Sequence, residues 1–306
     1  MSETDIVVQT KGLTRCYQKF TAVDHVDLTI RRGEIYGFLG PNGAGKTTTI
    51  RMLLGLIRST SGQVKIFGES LEVKKKEILR RVGSLVESPS YYGHLTGQEN
   101  LEIARRILGV SPSNIEHVLE RVRLTNVADK KVKQYSLGMK QRLGIALALL
   151  GNPEILILDE PTNGLDPGGM QEVRSLIQEL SKEQGVTILV SSHLLSEIDQ
   201  IAHRVGIIRR GKMIFQDRME TLREMSRPRM RLGVNRVEEA TRYLTKIGWS
   251  VSCEGEHIWS EGLTNQETAT MVETLVKGKF SVYRIEEVKQ PLEEIFLGLT
   301  GKEEGL

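Results

Sequence analysis

Cysteine is nearly absent from this 306-residue chain, which carries only Cys16 and Cys253. The two lie far apart and match no metal-ligand spacing, so the sequence points to a reducing compartment, not a disulfide scaffold. Aromatic residues make up 5% of the chain. No window reaches the ~18 consecutive apolar residues of a membrane span. The opening stretch MSETDIVVQTKG has no apolar core, so no signal peptide is expected. Charge of one sign is not concentrated either, since 42 Lys and Arg stand against 39 Asp and Glu. The densest basic run, KKKEILRR (74–81), reads as a solvated helix face in preference to a nucleic-acid or lipid patch. Internal repeats, low-complexity segments and sustained heptads are all missing. What remains is 39% hydrophobic and 26% charged, an ordinary globular balance at a length that allows two domains or one large one.

Glycine, by contrast, is abundant in one place. GFLGPNGAGKTTTIRML (37–53) sets four glycines, a proline and a single lysine between two apolar runs. Gly40, Pro41, Asn42, Gly43, Ala44, Gly45, Lys46 and Thr47 fit G-x-x-x-x-G-K-[ST], after a strand-like run and ahead of a helical one. Glycines at these positions let successive backbone N–H groups point into one concavity, an anion nest. The helix opening near Gly45 adds its N-terminal dipole to the same spot. Lys46 suits the β- and γ-phosphates, Thr47 suits Mg²⁺, and Thr48 continues the phosphate-binding stretch. The expected ligands are therefore ATP and Mg²⁺.

Around this loop the pattern alternates between strand and helix. DIVVQ, AVDHVDLTI and EIYGFL read as short β elements, and residues 45–57 as a helix ending at RSTSGQ. Amphipathic helices are expected over 95–109 and 113–124, and another over 136–152. EILILDEP (154–161) is a continuous apolar run ending in two carboxylates, the look of a central parallel strand. A helix, the buried strand VTILVSSH, the helix LLSEIDQIAHR and a hairpin over 205–217 follow. This predicts an α/β fold with a parallel-sheet core, an N-terminal antiparallel part and a helical subdomain. A composition shift near 223–232 predicts two domains, 1–219 and 220–306, the second small and α+β with a final PLEEIFLGL helix.

Asp159 and Glu160 close the apolar run. Asp159 is placed for a Mg²⁺ ligand, and Glu160 for the base that polarises the attacking water. Three further motifs narrow the choice among nucleotide hydrolases. YSLGMKQR (135–142) precedes the acidic strand, NGLDP (163–167) follows it, and SSH with His193 ends the next strand. Together with the glycine loop, they resemble the ATPase cassette of ABC transporters over roughly residues 4–218. In form they are similar to the ATPase subunits of bacitracin and lantibiotic self-protection exporters and of related drug exporters.

That resemblance implies a mechanism. Two cassettes would dimerise head to tail, so that Ser136, Leu137 and Gly138 of one face the phosphates held by Lys46 of the other. Asp166 would communicate across this interface, His193 would contact the γ-phosphate, and Tyr17 would stack on adenine. A separate membrane permease would be the partner, with the chain peripheral on the cytoplasmic face and no nucleic acid involved. The family's Leu-Ser-Gly-Gly-Gln signature is here Tyr135-Ser136-Leu137-Gly138-Met139, which keeps Ser136 and Gly138. Its metal-facing glutamine corresponds to Glu87 in VGSLVESPSYY, a departure that places a full negative charge beside the metal. Tyr91 and Tyr92 just beyond either dock the permease or pack internally. A soluble ABC-type ATPase acting on ribosomes or DNA keeps the same chemistry, but usually has two cassettes or a long coiled-coil insert. A P-loop kinase or GTPase would lack the signature, NGLDP and His193 together, and a non-catalytic sensor would not need Lys46, Asp159 and Glu160 all intact.

Overall fold

Runs that are apolar at every position fold into strands with both faces covered. The computed structural model describes residues 5–87, 91–225, 228–289 and 292–300, and three of its strands are buried along their whole length. The chain divides into two compact units, Met1–Met219 and Glu220–Leu306.

In the first unit, β1 (Ile6–Tyr17), β2 (Phe20–Val26) and β3 (Thr29–Arg31) precede β4 (Ile35–Leu39), and β5 (Ser61–Ile66) and β6 (Glu69–Ser70) follow it. All but β4 make a five-stranded sheet, whose pairings are antiparallel. The segment AVDHVDLTI, expected as one strand, is two (β2 and β3), with His25 in the left-handed region at φ 50°. The expected helix over 45–57 is shorter, α1 (Lys46–Leu53), and SGQVKI beyond it becomes β5.

α2 (Leu71–Leu79) carries the exposed Lys74, Lys75 and Lys76 of the basic run, whereas Arg80 and Arg81 lie beyond its end and Arg81 pairs with Glu154; β7 (Val82–Leu85) follows. Helices α3 (Gly97–Leu108), α4 (Ser113–Arg121) and α5 (Leu137–Leu149) pack against one another. α3 begins with a capping box in which Thr96 accepts from the Glu99 N–H and Glu99 reaches back to the Thr96 N–H.

The second sheet gathers β4, β7, β8 (Ile155–Asp159), β9 (Thr187–Ser192), β10 (Arg204–Arg209) and β11 (Lys212–Arg218) in the order β11-β10-β4-β9-β8-β7. Every pair is parallel except the β10–β11 hairpin. All residues of β4, β8 and β9 are buried. Burial of each such Leu or Ile side chain contributes about 1.5–3 kcal/mol, which anchors the strand ends that carry the polar groups. α6 (Pro167–Gln184) and α7 (Leu195–Ile201) pack against β9, and α7 also against β4.

The second unit begins in α8 (Met219–Glu224) and runs β12 (Pro228–Val234), α9 (Val237–Lys246), β13 (Val251–Glu254), β14 (His257–Glu261), α10 (Asn265–Lys277), β15 (Val282–Lys289) and α11 (Leu292–Thr300). From β12 to β15 this is a βαββαβ unit with the antiparallel order β13-β14-β12-β15, the ferredoxin-like arrangement. Its own core is built from Leu232, Val234, Ala240, Leu244, Ile258, Met271, Leu275 and Phe280.

Candidate functional site: a phosphate loop facing an acidic strand end

The loop from Gly40 to Gly45 joins the C-terminal end of β4 to α1, and its glycines are there for space. A Cβ at Gly40 would lie 2.4 Å from the Ile208 carbonyl oxygen, and one at Gly45 would lie 2.6 Å from that of Ala22. Gly45 also has φ 110°, which a side chain would strain, and it serves as the N-cap of α1. Asn42 and Gly43 are exposed, Pro41, Thr47 and Thr48 half-buried, and Ala44, Gly45 and Lys46 buried.

Lys46 is 5% exposed, and its ammonium is held from several sides. It donates to the Gly40 carbonyl at 2.7 Å and to Pro41 at 3.3 Å, and pairs with Glu160 Oε1 at 3.1 Å. The other oxygen, Glu160 Oε2, lies 3.0 Å from His193 Nδ1. A cation from the start of α1, a carboxylate just past β8 and an imidazole just past β9 thus form one chain. Glu160 adopts φ 48°, a left-handed conformation that costs a non-glycine residue of order 1–3 kcal/mol and gathers at functional sites.

Asp159 is 7% exposed, and its Oδ1 accepts from Ser191 Oγ at 2.5 Å. Ser191 Oγ in turn accepts from the Glu160 N–H at 2.9 Å, so β9 sets the rotamer of one acid and the backbone of the next. Thr47 and Asp159 are hard oxygen donors of the type Mg²⁺ takes. Among the described residues, no cluster of three or more His, Cys, Asp and Glu side chains is preformed as a metal site.

Glu87 is elsewhere. Its exposed carboxylate is paired with Arg51 of α1, and its φ is 59°. Among the described residues it forms no hydrogen bond or ion pair with Asp159, Lys46 or Glu160, and residues 88–90 of the same segment lie outside the described residues. Tyr91 is half-buried and donates to the Lys140 carbonyl of α5 at 3.0 Å, with burial pushing its phenol up to about 12. Tyr92 is exposed beside His94.

Ser136, Leu137 and Gly138 open α5. Ser136 is its N-cap, accepting from the Met139 N–H at 3.2 Å, and Leu137 is 54% exposed. Asp166 is likewise the N-cap of α6, accepting from the Gly169 N–H at 3.1 Å. Gly164 lies beside Leu137 of the same chain, where a Cβ would come 3.4 Å from Leu137 Cδ2. Tyr17, at the end of β1, is 41% exposed with the Arg15 guanidinium 4.4 Å from its ring centroid. Sequence reasoning passed over Arg51, Ser191, Ser192, Thr162 and Glu197. The last had a readable signal, because it shares the inner face of α7 with the buried Leu195, Ile198 and Ile201.

A glycine loop between a parallel strand and a helix, facing an acidic pair on a nearby strand, defines a P-loop nucleoside triphosphatase. The family described as ABC transporter matches residues 23–163. The bacitracin transport ATP-binding protein BcrA of Bacillus licheniformis is 45% identical, over 96% of this chain and 97% of its own length. The lantibiotic transport ATP-binding protein SrtF of Streptococcus pyogenes is 44% identical over 72% of this chain and 95% of its own. A solved ATP-binding subunit of an ABC transporter aligns with a TM-score of 0.64 at 29% identity, over 72% of this chain and 92% of that one. A dimeric ATP-binding cassette bound to ADP and Pi aligns at 0.63 and 26% identity, over 69% of this chain and 98% of that one. The chain belongs to the family of ABC transporter ATP-binding proteins, the ATPase subunits whose hydrolysis of ATP drives transport. It binds ATP, and the family implies a membrane permease and a second cassette as partners. Among the described residues no helix is long and apolar enough to cross a membrane.

Proposed function

We propose that this chain powers export of a peptide antibiotic, of the bacitracin or lantibiotic class, through a separate permease. In this reading residues 1–219 are the ATPase domain, peripheral on the cytoplasmic face of the membrane, and residues 220–306 are accessory. The observation that carries the chemistry is the Lys46–Glu160–His193 chain. A phosphate entering the loop competes with Glu160 for the Lys46 ammonium, which transfers that charge to the nucleotide and releases the carboxylate. Glu160 then accepts the proton of the attacking water, and His193 steadies both the carboxylate and the charge developing on the γ-phosphate.

Mg²⁺ would be held by Thr47 and Asp159, with Glu87 a third candidate, and would neutralise phosphate charge. Tyr17 stacks on adenine. Ser136 and Gly138 of a second cassette, at the positive end of α5, cap the γ-phosphate, while Leu137 and Asp166 line the same interface. The similarity to BcrA over nearly the whole of both chains supports the peptide-antibiotic class.

Glu160→Gln tests the chemistry. It should bind ATP and accumulate as a nucleotide-bound dimer, while turnover falls by ~10² or more. Near-parental turnover would remove Glu160 from its role. Deletion of the gene in its host tests the client: sensitivity to bacitracin or a lantibiotic should rise, and unchanged inhibitory concentrations for both would refute that class.

A further inference from the structure

β9 ends in two serines whose side chains, as neighbours on a strand, leave on opposite faces. Ser191 serves Asp159, as described above. Ser192 serves a residue the motifs do not include. Its Oγ donates to Glu197 Oε2 at 3.0 Å, and the same oxygen accepts from Thr162 Oγ1 at 2.7 Å. Glu197 is only 6% exposed, and Oε1, its other oxygen, is buried with no hydrogen-bond partner among the described residues. It lines a cavity of about 150 Å³ together with Glu160, Thr162, Ser192 and His193.

The connectivity closes a ring. Thr162 is two residues beyond Glu160, Ser192 is bonded directly to His193, and Glu160 and His193 meet at 3.0 Å. Glu197 Oε2 therefore ties together the two segments whose side chains must stay in register. Packing does not call for a carboxyl here. α7 already buries Leu195, Ile198 and Ile201, and a side chain with one buried oxygen unpartnered is a poor choice for stability alone. Ser192 Oγ also accepts from the Leu194 N–H at 3.0 Å, which links the same network to the turn into α7.

We propose that Glu197 is a positioning residue for the Glu160–His193 pair, acting through the hydroxyls of Thr162 and Ser192. The inference rests on the roles assigned to Glu160 and His193 above. Displacing a catalytic group by about an ångström costs on the order of 10²-fold in rate, while ATP binding by the loop and Lys46 is not touched.

The test is steady-state ATPase kinetics and fluorescent-ATP binding on the full chain. Glu197→Ala should lose ~10- to 10²-fold in kcat, with KM and nucleotide affinity within ~2-fold of the parent. Glu197→Gln, whose amide oxygen still accepts from both hydroxyls, should recover kcat to within ~3-fold of the parent. Thr162→Val keeps the shape and removes one donor. It should lower kcat alone, and add little in the Glu197→Ala background, since the two act as one unit. Parental kcat in Glu197→Ala overturns the proposal. So does a parallel fall of kcat and ATP affinity that Glu197→Gln does not repair. If Glu197→Ala fails to fold, Thr162→Val decides, and a parental kcat there refutes the ring. Glu160→Gln separates the two levels. An active Glu160→Gln sinks the underlying assignment, whereas an inactive one beside a fully active Glu197→Ala sinks only the role of Glu197.

Discussion

β8 and β12 are both next to the edge strand of their sheet, with a paired neighbour on each side, yet their residues are arranged in different ways. Every residue from Ile155 to Asp159 is buried: Ile155 and Ile157 share one core with the antiparallel sheet and α1, and Leu156 and Leu158 are buried on the opposite face. Along β12, Met230, Leu232 and Val234 pack into the core, while Arg229 and Arg231 stand on the other face beside Trp259. Arg231 meets Glu286 across the β12–β15 pair, and Arg229 meets Glu254 at 2.6 Å. A doubly covered sheet leaves polar side chains nowhere to go except the strand ends, and there they are concentrated: Asp159, Glu160, Ser191, Ser192, His193. A sheet covered once spreads its polar groups along the open face, where they pair with each other and converge on no common point. The phosphate chemistry belongs to the first arrangement.

Lys46→Ala breaks the comparison where it should break hardest. Removal of the cation proposed to meet the phosphates should lower ATPase turnover by ~10² or more, in the range for loss of a preorganised charge. Ile258→Ala, in the core of the second unit, should leave ATP binding unchanged. Steady-state ATPase rates and nucleotide titrations of the two variants side by side check this.

Stability offers the next contrast. Leu158 has no exposed surface, and truncation to alanine should cost about 2–5 kcal/mol, read as a lower denaturation midpoint. In a chain of marginal stability that is a large fraction of the total. Truncation of Tyr283, 66% exposed on β15, should change stability by less than ~0.5 kcal/mol.

Glu87→Gln probes the departure from the family motif. ATP binding should persist, and turnover should stay within ~10-fold of the parent, which is about 1.4 kcal/mol. If Glu87 meets the metal, the half-saturating Mg²⁺ concentration shifts. Identical Mg²⁺ titrations in parent and variant would leave Glu87 as the Arg51 partner and nothing more.

The smallest effect is electrostatic. Glu154, just ahead of β8, pairs with Arg81 at 2.6 Å and with Arg32 at 3.1 Å. The Arg81 guanidinium, aided by Arg32 and opposed by partial burial, holds its carboxyl below the ordinary carboxylate range. The folded state therefore binds this proton less readily than the unfolded one. The pair's contribution is complete above the unfolded carboxylate value and is lost as pH falls through the lowered folded value. The groups are substantially exposed, so this is worth less than ~1 kcal/mol. Glu154→Gln should flatten the acid limb of the stability profile by that much, measured by denaturation at several pH values.

Legibility follows the same division. The glycine loop, β8 and β9 could be read directly, because uninterrupted apolar runs and a phosphate motif leave few alternatives. β5 escaped notice because SGQVKI buries only Val64 and Ile66 and opens with residues that read as a turn. β7 escaped because it is four residues long and carries Gly83, where a Cβ would come 2.3 Å from the Ala148 carbonyl. Within the site, the residues that the motifs single out were visible. Those whose hydroxyls hydrogen-bond to other residues of the site were not, as Ser191, Ser192 and Thr162 show. A hydroxyl is common and carries no signal until its partner is known. The pairing of Glu87 with Arg51 was hidden for a related reason, since the partners are 36 residues apart and belong to different elements.

The claim that residues 1–219 contain the whole nucleotide site has one direct measurement, the ATP affinity of a chain ending at residue 219. It should fold and bind ATP within about threefold of the full chain, or ~0.7 kcal/mol. A 1–219 chain that keeps its helical circular-dichroism signal but no longer binds ATP would contradict the account, as would one that cannot fold at all.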